Sequence, residues 1–488
     1  MQMENQLFVT NSLTRDKELF RPINYPYVGM YVCGPTVSGE SHLGHSRPYV
    51  TFDVIYRYLT HLGYKVRYVR NITDAGHFEE EGREATDKVN EKAKLERLEP
   101  MELVQKYTNL FHDMMDLLNC ERPAIEPTAT GHIIEQIDMI QEIIRKGFAY
   151  EKNGSVYFDV TKYAKGGDYG KLSGRVIEEM IAGSRDLDGQ DEKNHPADFA
   201  LWKKAPPEHI MRWNSPWGSG FPGWHIECSA MATKYLGAPF DIHGGGMDLM
   251  FPHHESEIAQ SHIACGCMPV KYWLHNNMIT INGRKMGKSY NNTITLREMF
   301  FGGHTLLERP YPPMTVRFFI LQTQYRSTLD FSNEALQAAE KGLQRLLNAY
   351  DSISKIKAGP QSSSDLNSID KACEAAMNDD FNTAIVIAQL FELTRVVNSA
   401  VAGTENLTAE DTTKAKQIFD TYLFGILGIK KEIKNNSGDV EGLMQLIIDI
   451  RAQAKSNKDF STSDKIRDEL GKLGISIKDG KEGTSWTK

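Results

Sequence analysis

Val28 to Cys33 (VGMYVC) is an apolar run that predicts a buried strand, ending in the turn Gly34-Pro35-Thr36. From about Ser46 the spacing changes to that of a helix. Phe52, Ile55, Leu59 and Leu62 fall on one face, Pro48 sits in the first turn, and Gly63 closes the helix. Lys65 to Ile72 predicts a second strand, completing a strand-helix-strand unit. Pro239 to His243 resumes the buried-strand pattern before Gly244-Gly245-Gly246, and Pro252 to Ala264 predicts a helix. Between these halves, Glu80 to Leu118 is charged and helical with a break at Pro100, and 120–216 loses the strand-helix rhythm. After about residue 330 the spacing is helical, in Asn333–Tyr350 and Phe381–Val401, around the loop Gly359 to Ser364; Asn435 to Gly438 is a linker. The expectation is an α/β doubly wound domain split by an insertion, then an α-helical bundle and a small C-terminal domain. Its segments are 1–120, 121–216 (insertion), 217–275, 276–332, 333–432 and 433–488.

Composition narrows the class. With 488 residues the chain exceeds one core, and 40% hydrophobic with 25% charged residues is ordinary for a globular protein. No apolar run approaches a membrane span, and the polar Met1–Arg15 lacks a signal-peptide core, so the expected location is cytoplasmic, with no membrane partner. The six cysteines are too sparse for a disulfide framework, which leaves free thiols or metal ligands. The net charge of −8 gives no general attraction to nucleic acid, so any RNA contact must use a local surface.

Two motifs, each alone also readable as polar turn residues or a solvated basic hairpin, together suggest phosphate chemistry. His42-Leu43-Gly44-His45 places two imidazoles a helical turn apart before a helix, with Gly44 allowing close backbone approach. Lys285-Met286-Gly287-Lys288-Ser289 places two mobile cations around a glycine, after a predicted strand Asn276–Ile281. A third group could bind metal. His253 and Glu257 share a helical face, and Cys228 and Cys33 add thiols; the four would suit Zn²⁺. Cys265-Gly266-Cys267 is a rival pair with poor zinc spacing.

Taken together, YVCGPTV (31–37), SHLGH (41–45), YVRNITD (68–74), DFALWK (198–203), PGWHIECSAM (222–231), FDIHGGGMDLMFPHHESEIAQ (240–260), KMGKS (285–289) and MNDDFNTA (377–384) closely resemble cysteinyl-tRNA synthetase, a class I aminoacyl-tRNA synthetase. The resemblance implies a Rossmann-type catalytic domain and a reaction in two steps: L-cysteine and Mg²⁺-ATP give cysteinyl-adenylate, and tRNA(Cys) then accepts the cysteine. It implies one Zn²⁺ per chain on Cys33, Cys228, His253 and Glu257, bound directly by the substrate sulfur. It assigns His42, His45, Lys285 and Lys288 to the phosphates as catalytic groups, Gly44 and Gly245 to close approach of ATP, Asp248 to the substrate ammonium, and Thr73, Trp224 and His243 to the pocket lining. The bundle and tail resemble the family's tRNA-binding parts, in a monomer. From 443 to 488 there are nine Lys/Arg against seven Asp/Glu, and Asp464, Asp479 and Trp486 are candidates for base contacts. The chain departs from the common class I loop in having Gly287 where Ser is usual. A related ligase that couples activated cysteine to an amino-sugar lacks such a tail. A purely RNA-binding relative would need neither phosphate motif.

Overall fold

The computed structural model describes residues 6–75, 93, 98–166, 169–175, 192–207, 209–223, 225–287, 290–431, 437–472, 475–480 and 483–487. The linker residues Asn435 and Asn436, and most of 80–97, lie outside them. Two compact units form, Met1–Lys430 and Lys431–Lys488.

The first unit is built on a four-stranded parallel sheet. Tyr27–Val32 lies between Lys65–Arg70 and Phe240–Gly246, and Val270–Asn276 pairs with the outer side of Phe240–Gly246. Parallel strands must be covered on both faces, which explains their continuous apolar character. The order reverses between Tyr27–Val32 and Phe240–Gly246. Such a switch point leaves a crevice at the carboxyl ends of two adjacent strands, and ligands bind there in open α/β sheets. Cys33 follows one of these strands, and His243 lies within the other.

The helix after the first strand runs from Leu43 to His61. It starts three residues before the predicted Ser46, so His42 is the N-cap and His45 lies in the first turn. Pro48 therefore sits inside the helix and leaves the Gly44 carbonyl without its usual backbone donor. Pro100, read as a break, is the first residue of the helix Pro100–Leu117, where its missing N–H costs nothing.

The insertion is more ordered than its sequence pattern foretells. Ala149–Lys152, Ser155–Phe158, Phe199–Lys204, Gly218–Pro222 and Trp213–Ser215 form, in that order, an antiparallel five-stranded sheet. This sheet and the helix Ile133–Arg145 share a core around Trp202, Phe158 and Ile140, each fully buried.

Helices Asn333–Ser352, Leu366–Asn378, Thr383–Ala402 and Ala409–Ile418 make the bundle. Thr383–Ala402 is long and apolar enough, by length and composition, to cross a membrane. Its Val386, Leu390, Leu393 and Val397 instead lie in the protein core. The second unit contains helices Ser437–Ser456 and Phe460–Lys472 and a hairpin of Ser476–Gly480 with Gly483–Thr487.

Candidate active site and metal cluster

The histidine motif pairs through its backbone with the segment that follows the lysine loop. Leu43 N–H donates to the Ile294 carbonyl at 2.9 Å, and Leu296 N–H donates to Ser41 at 2.8 Å. Met286 packs beside Gly44, where a side chain would also crowd the ring of His42. Arg47, on the same helix, is buried and donates to the carbonyls of Met278, at 2.6 Å, and Ser327. Burial pushes its guanidinium down to about 10. These bonds set the histidine motif against the segment that carries the lysine loop.

His42 and His45 stack with ring centroids 3.7 Å apart. The backbone N–H of His42 donates to Nδ1 of His45 at 3.3 Å. Burial, then the neighbouring His42, pushes His45 down to about 3. The ring is therefore neutral at physiological pH, with its proton on Nε2. Lys285 is exposed at the end of the short ribbon with Ile279–Ile281, which begins three residues later than predicted. Asn292 holds the loop: its Oδ1 accepts from Gly287 N–H at 2.9 Å, and its Nδ2 donates to the Lys285 carbonyl at 3.1 Å. The Gly287 backbone is thus tethered although its side chain is missing. Lys288 lies outside the described residues, as does Trp224.

The four thiol, imidazole and carboxylate candidates converge. The ligand atoms of Cys33, Cys228, His253 and Glu257 lie within 4.8 Å of one another, and all four residues are buried. His253 Nε2 is 2.9 Å from Glu257 Oε1. The two do not share one regular α-helix, as the pattern predicted. His253 belongs to a wider turn, Met250–His254, interrupted at Phe251, and the α-helix proper is Glu255–Cys265. Cys265 is exposed and Cys267 half-buried at the far end of that helix, and neither joins the cluster.

The four groups are electrostatically linked. Burial pushes the Cys33 thiol up, with Cys228 adding to the effect. Burial also raises Cys228, but its hydrogen bond with Cys33 and the adjacent His253 bring it down to about 6. Burial opposes ionisation of Glu257, and His243 and His253 outweigh it, holding the carboxyl at about 2. Two thiols, an imidazole and a carboxylate fit a divalent ion of borderline softness.

Three neighbouring histidines were missed by the sequence reading. Cys33, His243, His254 and Glu257 form a second, overlapping set. His254 Nε2 lies 3.2 Å from Cys33 Sγ, its Nδ1 is 2.7 Å from His275, and His225 Nδ1 is 2.7 Å from His253 Nδ1. The adjacent pair His253-His254 was the available signal, since both members point into one buried cluster. His243, expected in the pocket lining, bonds Glu257 Oε2 at 2.8 Å and stacks on Trp273. Thr73, also expected there, is buried and lies 3.5 Å from Glu227, whose carboxyl burial pushes up to about 8. Asp248 is exposed. Gly245 was assigned to nucleotide approach, but the space beside its Cα is filled by His254 and Leu249. Its missing side chain serves the histidine cluster.

In the second unit, Trp486 is half-buried and pairs with Ile477 across the hairpin. Asp464 is exposed, 3.3 Å from Arg467. The side chain of Asp479 lies outside the described residues.

The doubly wound sheet, the histidine motif at its first helix and the facing lysine loop define a class I aminoacyl-tRNA synthetase. Residues 19–341 match the family described as the tRNA synthetases class I (C) catalytic domain, and 372–431 match the DALR domain. A solved *Mycobacterium tuberculosis* methionyl-tRNA synthetase bound by methionyl-adenylate shares the fold, with TM-score 0.58 at 12% identity over 89% of this chain and 96% of that one. The cysteine–tRNA ligase of Bacteroides fragilis is 58% identical over 99% of each chain, and that of Chlorobaculum tepidum 47% identical, again over 99% of each. The chain belongs to the cysteine–tRNA ligase family.

Proposed function

We propose that this chain joins L-cysteine to tRNA(Cys) in two steps at the switch-point crevice, and that Cys33, Cys228, His253 and Glu257 hold one zinc ion there. The convergence of those four buried donors, in a chain of the cysteine–tRNA ligase family, is the observation that carries this reading. Zinc bound by them would accept the substrate's soft thiolate in preference to a hydroxyl. Serine differs from cysteine by a single atom, so an apolar wall alone would separate the two weakly.

The remaining work falls to the chain's own groups. The cysteine carboxylate attacks the α-phosphate of ATP, pyrophosphate leaves, and the terminal ribose of tRNA then attacks the acyl carbonyl. No covalent bond to the protein is needed, so catalysis is positioning and charge stabilisation. His45, neutral and with its proton at Nε2, donates to a phosphate oxygen beside His42. Lys285 and Lys288 bring positive charge to the departing pyrophosphate, and Mg²⁺ accompanies the nucleotide. Gly44 keeps the helix start open to the nucleotide. Asp248, exposed, takes the substrate ammonium. Thr73, Trp224 and His243 belong to the pocket. The bundle and the small C-terminal unit take the tRNA, with Asp464, Asp479 and Trp486 as base contacts. We place the protein in the cytoplasm as a monomer.

ATP–pyrophosphate exchange with each standard amino acid tests the reading. Exchange dependent on cysteine, followed by charging of tRNA(Cys), is the expected outcome. Exchange driven equally by serine would contradict the thiolate argument, and exchange without any amino acid would contradict the enzymatic reading.

A further inference from the structure

Zinc distinguishes a thiol from a hydroxyl, but it does not measure the carbon chain that carries the thiol. Homocysteine, one methylene longer than cysteine, offers the same sulfur. If the site takes cysteine, as proposed above, something other than the metal must read length.

A segment of the insertion packs against the elements that carry the metal cluster. This segment, Tyr169–Arg175, closes on itself, with Gly174 N–H donating to the Gly170 carbonyl at 2.7 Å. Ser173 N–H donates to Glu255 Oε2 at 2.8 Å. Glu255 opens the helix that carries Glu257 and directly follows His253 and His254. Leu172 is fully buried in the apolar cluster that contains Cys33 and Cys228 and against which Leu249 and Met250 pack. At the outer end, the Arg175 guanidinium lies 4.5 Å from the centroid of the Phe251 ring, in the turn that leads to His253. The strap is therefore fastened, at Ser173 and Arg175, to the segment bearing two of the four donors.

We propose that Glu255 is a positioning residue for amino-acid selection. Its carboxylate clamps the Tyr169–Arg175 strap, and the clamped strap, through Leu172, limits the length of thiol side chain that the pocket admits. Neither residue touches the reacting atoms. Their effect is on which substrate fits, so it falls on KM rather than on the chemical step. One methylene in an apolar pocket is worth about 10- to 200-fold in discrimination.

The test measures exchange with L-cysteine and L-homocysteine in the full-length zinc-loaded protein, together with zinc content by a chromogenic chelator after unfolding. In Glu255→Ala the cysteine preference should fall about tenfold, mainly through KM, with kcat for cysteine within about twofold and zinc retained. Glu255→Gln keeps an oxygen acceptor for the Ser173 N–H and should stay near wild type. Leu172→Ala, which leaves the carboxylate in place, should lose preference to a similar extent, and it keeps the proposal testable if Glu255→Ala does not fold. An unchanged preference in folded Glu255→Ala or Leu172→Ala would overturn the proposal. Zinc loss in step with the change would also overturn it, because Glu255 would then merely support the metal helix. A wild-type protein that accepts homocysteine as readily as cysteine overturns it outright. A wild-type protein that activates neither thiol removes the functional reading beneath it.

Discussion

Cys228 shows how much of this site's chemistry is concentrated in single side chains. It lies in the helix Ile226–Leu236, buried against Cys33 and His253. Its thiol is brought down to about 6, so of the two thiols it is the readier to ionise. Cys228→Ala removes that thiol, one of four donors, while leaving the phosphate motifs intact. We predict loss of bound zinc, measured by elemental analysis, and loss of cysteine-dependent exchange by at least about two orders of magnitude, larger than the 10- to 100-fold typical for an outer-shell change. His243→Ala provides that milder comparison, since His243 is held to Glu257 at 2.8 Å without belonging to the proposed donor set. It should weaken zinc binding by about 10- to 100-fold. Retention of full zinc affinity in both variants would place the metal elsewhere.

At the scale of elements, the turn after the first strand sets the position of Cys33. Gly34 lies so close to the Asn71 carbonyl that a Cβ there would overlap it, and the Gly34 N–H donates to Asn71 Oδ1 at 2.8 Å. Gly34→Ala must therefore push the two strand ends apart. It should cost about 1–3 kcal/mol in denaturant unfolding and weaken zinc binding as well, because Cys33 moves with the turn. The parallel strands were legible in the sequence because burial on both faces leaves unbroken apolar runs such as Val28–Cys33. The histidine helix was legible in its apolar face, but its first turn was not. His42, Gly44 and His45 carry no helical pattern, and the turn is fixed instead by pairing with Ile294 and Leu296, some 250 residues away. The insertion's sheet was hidden for a similar reason. Ser155–Phe158 pairs with Phe199–Lys204 across a long separation, and no local periodicity reports such a partner. The motif residues of the site could be named from the sequence. His254, His275 and His225 could not, because their role arises only where three separate segments meet.

Over the whole molecule, the groups proposed for cysteine activation fall within one unit. Every described residue of the proposed zinc and phosphate sites lies in Met1–Lys430, and the second unit has its own helices and hairpin. A chain ending at Lys430 should keep cysteine-dependent pyrophosphate exchange within about threefold of the full protein, as expected when substrate contacts are untouched, and lose most charging of tRNA(Cys). Equal loss of both would mean that the second unit supports the catalytic core. The central claim is narrower: the substrate's sulfur is recognised by a metal held on Cys33, Cys228, His253 and Glu257. Replacing the zinc with Co²⁺ makes that contact visible, because a thiolate bound to cobalt adds a sulfur-to-metal charge-transfer absorption. Addition of L-cysteine should increase this absorption in a saturable way, beyond the signal from the protein's own thiolates, and L-serine should leave it unchanged. A spectrum that does not respond to cysteine, under conditions where cysteine still drives pyrophosphate exchange, would contradict the account.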